Sequence, residues 1–261
     1  MTEVWGFPVG RVAIHERQVH VWSVSLDQPP ARLEPLLELL SSDERERAGR
    51  LRFAEDERRF IVARGVLRLL LGRYVDAHPQ AIEIGYGPRG KPFAITPPGK
   101  SVRFNLAHSH ELALYAFTRN GEVGVDLEFV RQVDDIDPIA TRFFSRHEAA
   151  VLRALPAIDR LNAFFRCWTR KEAYIKALGD GFHQPLDTFE VPLEASPYGR
   201  ALTIRGAGAL VDRWRIWRLQ VAPGYEAALA IERAKWDLQP VRRVWLGALA
   251  HTSHYLIEAS S

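Results

Sequence analysis

From Gly124 to Phe129 the chain reads Gly-Val-Asp-Leu-Glu-Phe, and this alternation with a period of two points to a strand. As a strand it turns Val125, Leu127 and Phe129 to one face and sets Asp126 and Glu128 side by side on the other. A second stretch, Trp168-Thr-Arg-Lys-Glu-Ala-Tyr-Ile-Lys176, reads as a helix on which Trp168, Glu172 and Lys176 recur every four residues and form one stripe. Packed together, strand and helix would bring three carboxylates and an ammonium to one point. Such a cluster is costly unless a cation and a phosphate-like anion complete it. The plain alternative for Asp126 and Glu128 is a solvated strand face. Trp168 on the facing stripe weighs against it, because tryptophan is seldom left in solvent.

A chain of 261 residues with 47% hydrophobic composition can bury one large core or two small ones. Its apolar stretches are short; Val66 to Leu71 is interrupted by Arg68, so no membrane partner is expected. Residues 1–10 lack the basic start and apolar run of a signal peptide, and the expected location is cytoplasmic. The single cysteine, Cys167, excludes an internal disulfide and a cysteine-based metal site. A net charge of +3 favours an anionic ligand only weakly.

Val19 to Leu26 alternates as a short strand before the Pro29-Pro30 break. Ser41 with Glu44 opens an arginine-rich helix, and a longer helix follows from about Asp56 to Val75, with Arg64 and Arg68 one turn apart on its polar face. Gly85 to Pro92 is a turn by its glycine and proline content, with Lys91 at its exit. Strands are expected at Val102 to Leu106 and Leu112 to Thr118, with His108-Ser109-His110 in the loop between them. Asn120-Gly121 is a tight-turn signal near the middle of the chain. A similar order then returns: the strand Val123 to Phe129, a helix opened by Ser145 and Glu148, a long helix from Asp159 to Leu178 closed by Gly179, and strands at Phe189 to Val191, Trp214 to Val221 and Glu226 to Glu232. The expected fold is α+β, a pseudo-two-fold pair of similar subdomains, 1–120 and 121–234, with the active site between them. An extension, 235–261, offers Trp245, Leu246, Leu249 and Tyr255 for packing on the body.

Magnesium explains the acidic residue types, since it prefers oxygen ligands and usually takes a few carboxylates plus substrate phosphate oxygens. Lys176 then serves as counter-charge to those phosphates. His108 sits where a polar group can face a cleft. For Lys91, Arg64 and Arg68 the plain reading is a solvated surface charge.

Gly124-Val-Asp-Leu-Glu128, Phe143-Phe-Ser and Trp168 to Lys176 together resemble the Sfp-type (surfactin synthetase-activating) 4′-phosphopantetheinyl transferases. Gly90-Lys91-Pro92, Phe104-Asn-Leu-Ala-His-Ser109, Gly179-Asp-Gly-Phe and Pro185-Leu-Asp187 extend the likeness from about Arg45 to Glu232. The resemblance implies two similar α+β halves with coenzyme A between them. It implies that Asp126, Glu128 and Glu172 hold magnesium, with manganese as the alternative, and that Glu172 is also the general base. Lys176 would contact the pyrophosphate, Lys91 and His108 coenzyme A, and Arg45, Arg47 and Arg64 the region of the 3′-phosphate. Ala107 departs from the serine many relatives carry before the histidine, and it has no hydroxyl to donate to a phosphate.

The implied reaction moves 4′-phosphopantetheine from coenzyme A to a serine of an apo acyl or peptidyl carrier protein. A monomer is expected, with no nucleic-acid partner. Two rivals stand beside it: a magnesium-dependent phosphodiesterase or nuclease built on the same acids, and a non-catalytic module that binds coenzyme A or a carrier. A binding module would need no base, so the third acid, Glu172, favours an enzyme.

Overall fold

The computed structural model of the chain describes residues 11–16, 18–96, 101–179, 184–194, 202–203, 205–206, 214–232, 240–246 and 252–258. The first strand, β1 (Val19–Ser25), is followed by α1 (Leu33–Leu39), α2 (Ser42–Gly49) and the 22-residue α3 (Ala54–Val75). A hairpin, β2 (Glu83–Tyr86) and β3 (Pro92–Ile95), leads to β4 (Arg103–Ser109) and β5 (Leu112–Thr118). After Gly121 come β6 (Val123–Phe129), α4 (Ile136–Phe143), α5 (Arg146–Ala154) and a second 22-residue helix, α6 (Ala157–Leu178). Next are the short strands β7 (Phe189–Glu190), β8 (Leu202–Thr203) and β9 (Arg205–Gly206), then β10 (Trp214–Leu219), β11 (Tyr225–Glu232), β12 (Pro240–Leu246) and β13 (Thr252–Glu258).

The fold is α+β, with two larger sheets whose neighbouring strands are all antiparallel. One runs β12-β13-β1-β5-β4 and the other β6-β11-β10-β8. Both sheets are covered on both faces, which explains why β1 and β5 are buried almost throughout rather than on alternate residues. Trp22, Val24, Tyr115 and Phe117 pack on α3, while Val19, Val21, Leu114 and Ala116 meet Val125, Leu127 and Leu229 of the other sheet. The outer face of that second sheet, with Trp214, Ile216, Ala228 and Ala230, packs on α4 to α6. The order of layers is therefore helix, sheet, sheet, helix. Each Val or Leu buried between the sheets contributes about 1.5–3 kcal/mol, so the halves are held face to face.

Both capping boxes form: Ser41 with Glu44 opens α2, and Ser145 with Glu148 opens α5. Gly179, at φ 73°, ends α6 with its N–H on the Ile175 carbonyl. Two expectations change. Arg64 and Arg68 are buried, because the Glu44 carboxylate that caps α2 accepts from both of them, at 2.9 and 2.5 Å. Arg68 also donates to the Ile82 carbonyl at 2.8 Å, and Arg64 to the Tyr86 hydroxyl at 2.7 Å. Paired this way, the two guanidiniums meet the requirement on a buried charge. The second change concerns His108 and Ser109, which lie within β4 opposite Ala113 and Leu112. Only His110 and Glu111 make the turn, with His110 at φ 52°.

The contact between β6 and α6 depends on Gly124. A Cβ there would stand 2.0 Å from the Ala173 carbonyl oxygen and 2.4 Å from the Ala177 nitrogen. No rotamer change relieves a clash with helix backbone, so Gly124→Ala is expected to destabilise the protein by about 3 kcal/mol. Wild-type stability of that variant in chemical unfolding would contradict the close approach.

Candidate active site

With α6 pressed onto Gly124, the acidic face of β6 meets the stripe of α6. Lys176 Nζ lies 2.6 Å from Asp126 Oδ1. Asp126 is 4% exposed, and its second oxygen, Oδ2, is buried without a partner, as is Oε1 of Glu172. A recess of about 310 Å³ opens here between the two halves, lined by Lys91, Asn105, Glu172, Ile175 and Lys176 among others.

Burial dominates the electrostatics. It raises the Asp126 carboxyl to about 7, against the opposing pull of the Lys176 charge and hydrogen bond. Burial likewise raises Glu172 against the same ammonium. Lys176 is itself pushed down by burial, but Asp126, then Glu172 and Glu128, outweigh that and hold it above its ordinary value. His108 is lowered by desolvation first and the Lys176 charge second. One ammonium therefore stabilises the carboxylates incompletely, and a further cation would favour their ionised forms.

Among the described residues, no group of three or more His, Cys, Asp and Glu side chains gathers in a way that could hold a metal ion. Glu128 is drawn aside by the Ser109 hydroxyl, which donates to its Oε2 at 2.9 Å, and Lys176 takes Asp126 Oδ1. The donor chemistry nevertheless suits a hard divalent cation, because two buried carboxylate oxygens, Asp126 Oδ2 and Glu172 Oε1, stand without partners.

Strand β4 is stitched to β6 by side chains instead of a backbone ladder. Asn105 Oδ1 accepts from the Val125 N–H at 2.9 Å, and the Ser109 hydroxyl oxygen accepts from the Phe129 N–H at 3.0 Å. These two bonds bracket Asp126 and Glu128. Lys91 fastens the start of β6: its ammonium donates to Glu122 at 2.8 Å, the Ala177 carbonyl at 2.7 Å and the Val123 carbonyl at 3.3 Å. Asn105, Ser109 and Glu122 were not singled out from sequence. Asn105 and Ser109 lie within the Phe104 to Ser109 motif, but nothing in it gave them a role, and for Glu122 the only signal was polarity beside a strand, which does not tell a seam from a surface.

The arginines lie further out. Arg45 and Arg47 are exposed on α2; Arg45 Nε donates to the Leu40 carbonyl at 2.9 Å, and the Arg47 guanidinium lies 5.5 Å from the centre of the Phe60 ring. Arg64 is committed to Glu44 and Tyr86. Within the helical motif, Arg170 and Lys171 have structural roles. Lys171 is fully buried, 2.7 Å from Glu148, and donates to the carbonyls of Leu186 and Phe189. Arg170 is buried and bonds the carbonyls of Pro192 and Glu194. Trp168 packs edge-on against Phe143 and is stacked with Phe164. Of the residues expected from sequence, Asp180-Gly-Phe182 and Leu249 lie outside the described residues, as do the side chains of Trp245, Leu246 and Tyr255. Among the described residues no helix is long and apolar enough to cross a membrane.

Residues 122–230 match the family model described as the 4′-phosphopantetheinyl transferase superfamily, and residues 25–119 match one described as 4′-phosphopantetheinyl transferase, N-terminal. The chain is 38% identical over 221 residues to the 4′-phosphopantetheinyl transferase HetI of Nostoc sp., across 84% of this chain and 90% of that one. It is 28% identical over 175 residues to the 4′-phosphopantetheinyl transferase Sfp of Bacillus subtilis, across 66% and 76% of the two. Among solved structures it is similar to the holo-[acyl-carrier-protein] synthase of Thermotoga maritima, with a TM-score of 0.35 and 18% identity over 54% of this chain and 83% of that one.

The sign of the pH dependence follows from Asp126. A carboxyl that binds its proton more tightly folded than unfolded contributes stability at pH values below its unfolded value, near 3.8, and loses that contribution as pH rises through about 7. Without divalent cations, stability is expected to fall over this interval, and magnesium is expected to restore it most at the upper end. The slope should flatten in Asp126→Asn. Thermal melts across the interval that are flat for the wild type, or identical in the variant, would contradict the assignment.

Proposed function

The chain belongs to the 4′-phosphopantetheinyl transferase superfamily and is an enzyme that transfers phosphopantetheine to carrier proteins; we propose that coenzyme A is its donor, divalent magnesium its cofactor, and a carrier serine hydroxyl its acceptor. The observation that carries this reading is the buried centre, where Asp126 and Glu172 each retain an unpartnered oxygen beside the Lys176 ammonium. Asp126, Glu172 and Glu128 are assigned as the metal-holding residues, Glu128 through the oxygen that Ser109 leaves available. Bound there, magnesium or manganese would offset negative charge on the phosphate oxygens.

In the proposed reaction the serine hydroxyl oxygen attacks the β-phosphorus of coenzyme A, and the phosphorus–oxygen bond of the pyrophosphate bridge breaks. Adenosine 3′,5′-bisphosphate departs with the electron pair. Glu172 accepts the hydroxyl proton, a role that its raised affinity for protons supports. Lys176, held above its ordinary value and so cationic, is placed to neutralise charge growing on the bridging oxygen. His108 and Lys91 are assigned to coenzyme A, and Lys91 would have to exchange one of its present acceptors for a phosphate oxygen. Arg45, Arg47 and Arg64 are assigned to the region of the 3′-phosphate, where Arg64 would have to release Glu44 or Tyr86 to reach it. In this scheme 1–120 supplies the nucleotide contacts, 121–234 the metal and proton-transfer groups, and 235–261 an extension. Acyl and peptidyl carriers are both proposed acceptors, with the enzyme acting as a monomer in the cytoplasm.

The phosphodiesterase alternative would release the bisphosphate with no carrier present. The test incubates the protein with coenzyme A, magnesium and apo carrier proteins and reads the carrier mass. A phosphopantetheine gain on the serine is expected, with no bisphosphate released when carrier is omitted. Glu172→Gln should slow transfer by roughly 10²–10⁴-fold while the protein remains folded. Lys176→Ala should lower kcat more than it weakens carrier binding. Transfer at the wild-type rate in Glu172→Gln, or lost carrier affinity with an unchanged kcat in Lys176→Ala, would contradict the assigned roles.

A further inference from the structure

Beyond Glu128 the same face of the second sheet carries a cationic cluster that the transfer reaction does not use. Glu226 is the cross-strand neighbour of Glu128 on β11, with its side chain 4% exposed. Arg218 of β10 grips it with Nε at 3.0 Å and Nη2 at 2.8 Å. Arg166 of α6 approaches the same carboxylate at 3.5 Å and donates Nη1 to the Leu193 carbonyl at 2.7 Å. One turn along α6, Arg170 is buried on carbonyls. Two guanidiniums thus share one carboxylate, with the third nearby on backbone carbonyls. The purely structural account, in which these arginines tie down the 192–194 segment, leaves Arg166 Nε buried without a partner.

A recess of about 600 Å³ lies over this cluster, walled by Val130, Asn162, Arg166, Arg218, Tyr225 and Glu226 among others. We propose that it is a binding site for a small oxyanion, a carboxylate or phosphate group held between Arg166 and Arg218. The chemistry follows from the donors: Arg218 spends Nε and Nη2 on Glu226, which leaves its Nη1 edge to donate to an oxygen of such an anion, while Arg166, held to Glu226 only at 3.5 Å, supplies the second cation. Arg166, 13% exposed, and Arg218, 27% exposed, are sheltered enough for that contact to be stronger than a surface ion pair. An anion bound there would balance the excess cation that Glu226 alone does not. The site stands whether or not the transferase assignments above hold, since none of its residues belongs to them.

The test is thermal unfolding without magnesium or coenzyme A, with inorganic phosphate replacing chloride at constant ionic strength and citrate as the carboxylate probe. A saturable rise in Tm is expected for the wild type and equally for Lys176→Ala, which removes the phosphate-directed cation of the candidate active site. Arg218→Gln should weaken the apparent affinity at least tenfold. Asn162→Asp, which adds a carboxylate to the rim without removing a buried pair, should weaken it too and covers the case in which Arg218→Gln fails to fold. A Tm unchanged from chloride would overturn the proposal. So would a rise lost in Lys176→Ala but kept in Asn162→Asp, or a rise that neither arm of the recess alters.

Discussion

The pairing of Asp126 with Lys176 is the interaction on which the rest of the centre depends. A carboxylate 4% exposed is unfavourable in a protein interior unless a cation stands beside it. The cation comes from a helix that approaches this closely only because Gly124 has no side chain to fend off the Ala173 carbonyl. One ammonium at 2.6 Å is not sufficient: Asp126 Oδ2 and Glu172 Oε1 remain without partners, and burial still holds Asp126 at about 7. The centre is thus built with a deficit of positive charge, which is the condition a divalent cation would relieve.

That centre is also a product of two sheets meeting. The apolar layer formed by Val21, Leu114, Val125 and Leu229 holds the sheets face to face but does not set their register. Register comes from three polar fastenings along one seam: Lys91 on the Glu122 carboxylate and two carbonyls, Asn105 on the Val125 N–H, and Ser109 on Glu128 and the Phe129 N–H. Each crosses from the first half of the chain to the second. A recess between the halves therefore exists only in the assembled fold.

Much of this was legible in the residues. The period of two at Gly124 to Phe129 and the four-residue stripe of α6 fixed which faces met, and the Ser41/Glu44 and Ser145/Glu148 boxes marked where helices begin, because each signal is local and periodic. What stayed hidden was long-range. The partners of Arg64 and Arg68 come from Glu44, twenty or more residues away, so nothing nearby showed that these arginines are buried. Ser109 and His108 read as loop because polar residues flank a tight two-residue turn; their place in β4 is set by pairing with Leu112 and Ala113. Inside the helical motif, Arg170 and Lys171 lie off the stripe of Trp168, Glu172 and Lys176, and nothing local showed that they reach Glu148 and the carbonyls of 186–194.

The ionisation of Asp126 is the most direct gauge of this account, because it reports burial and the Lys176 partner at once. Carboxylate carbon NMR of the wild type, with Asp126 assigned by comparison with Asp126→Asn, should show it titrating near 7 without divalent cations and well below that value once magnesium is added. An ordinary carboxylate titration that magnesium leaves in place would contradict a buried, cation-seeking centre.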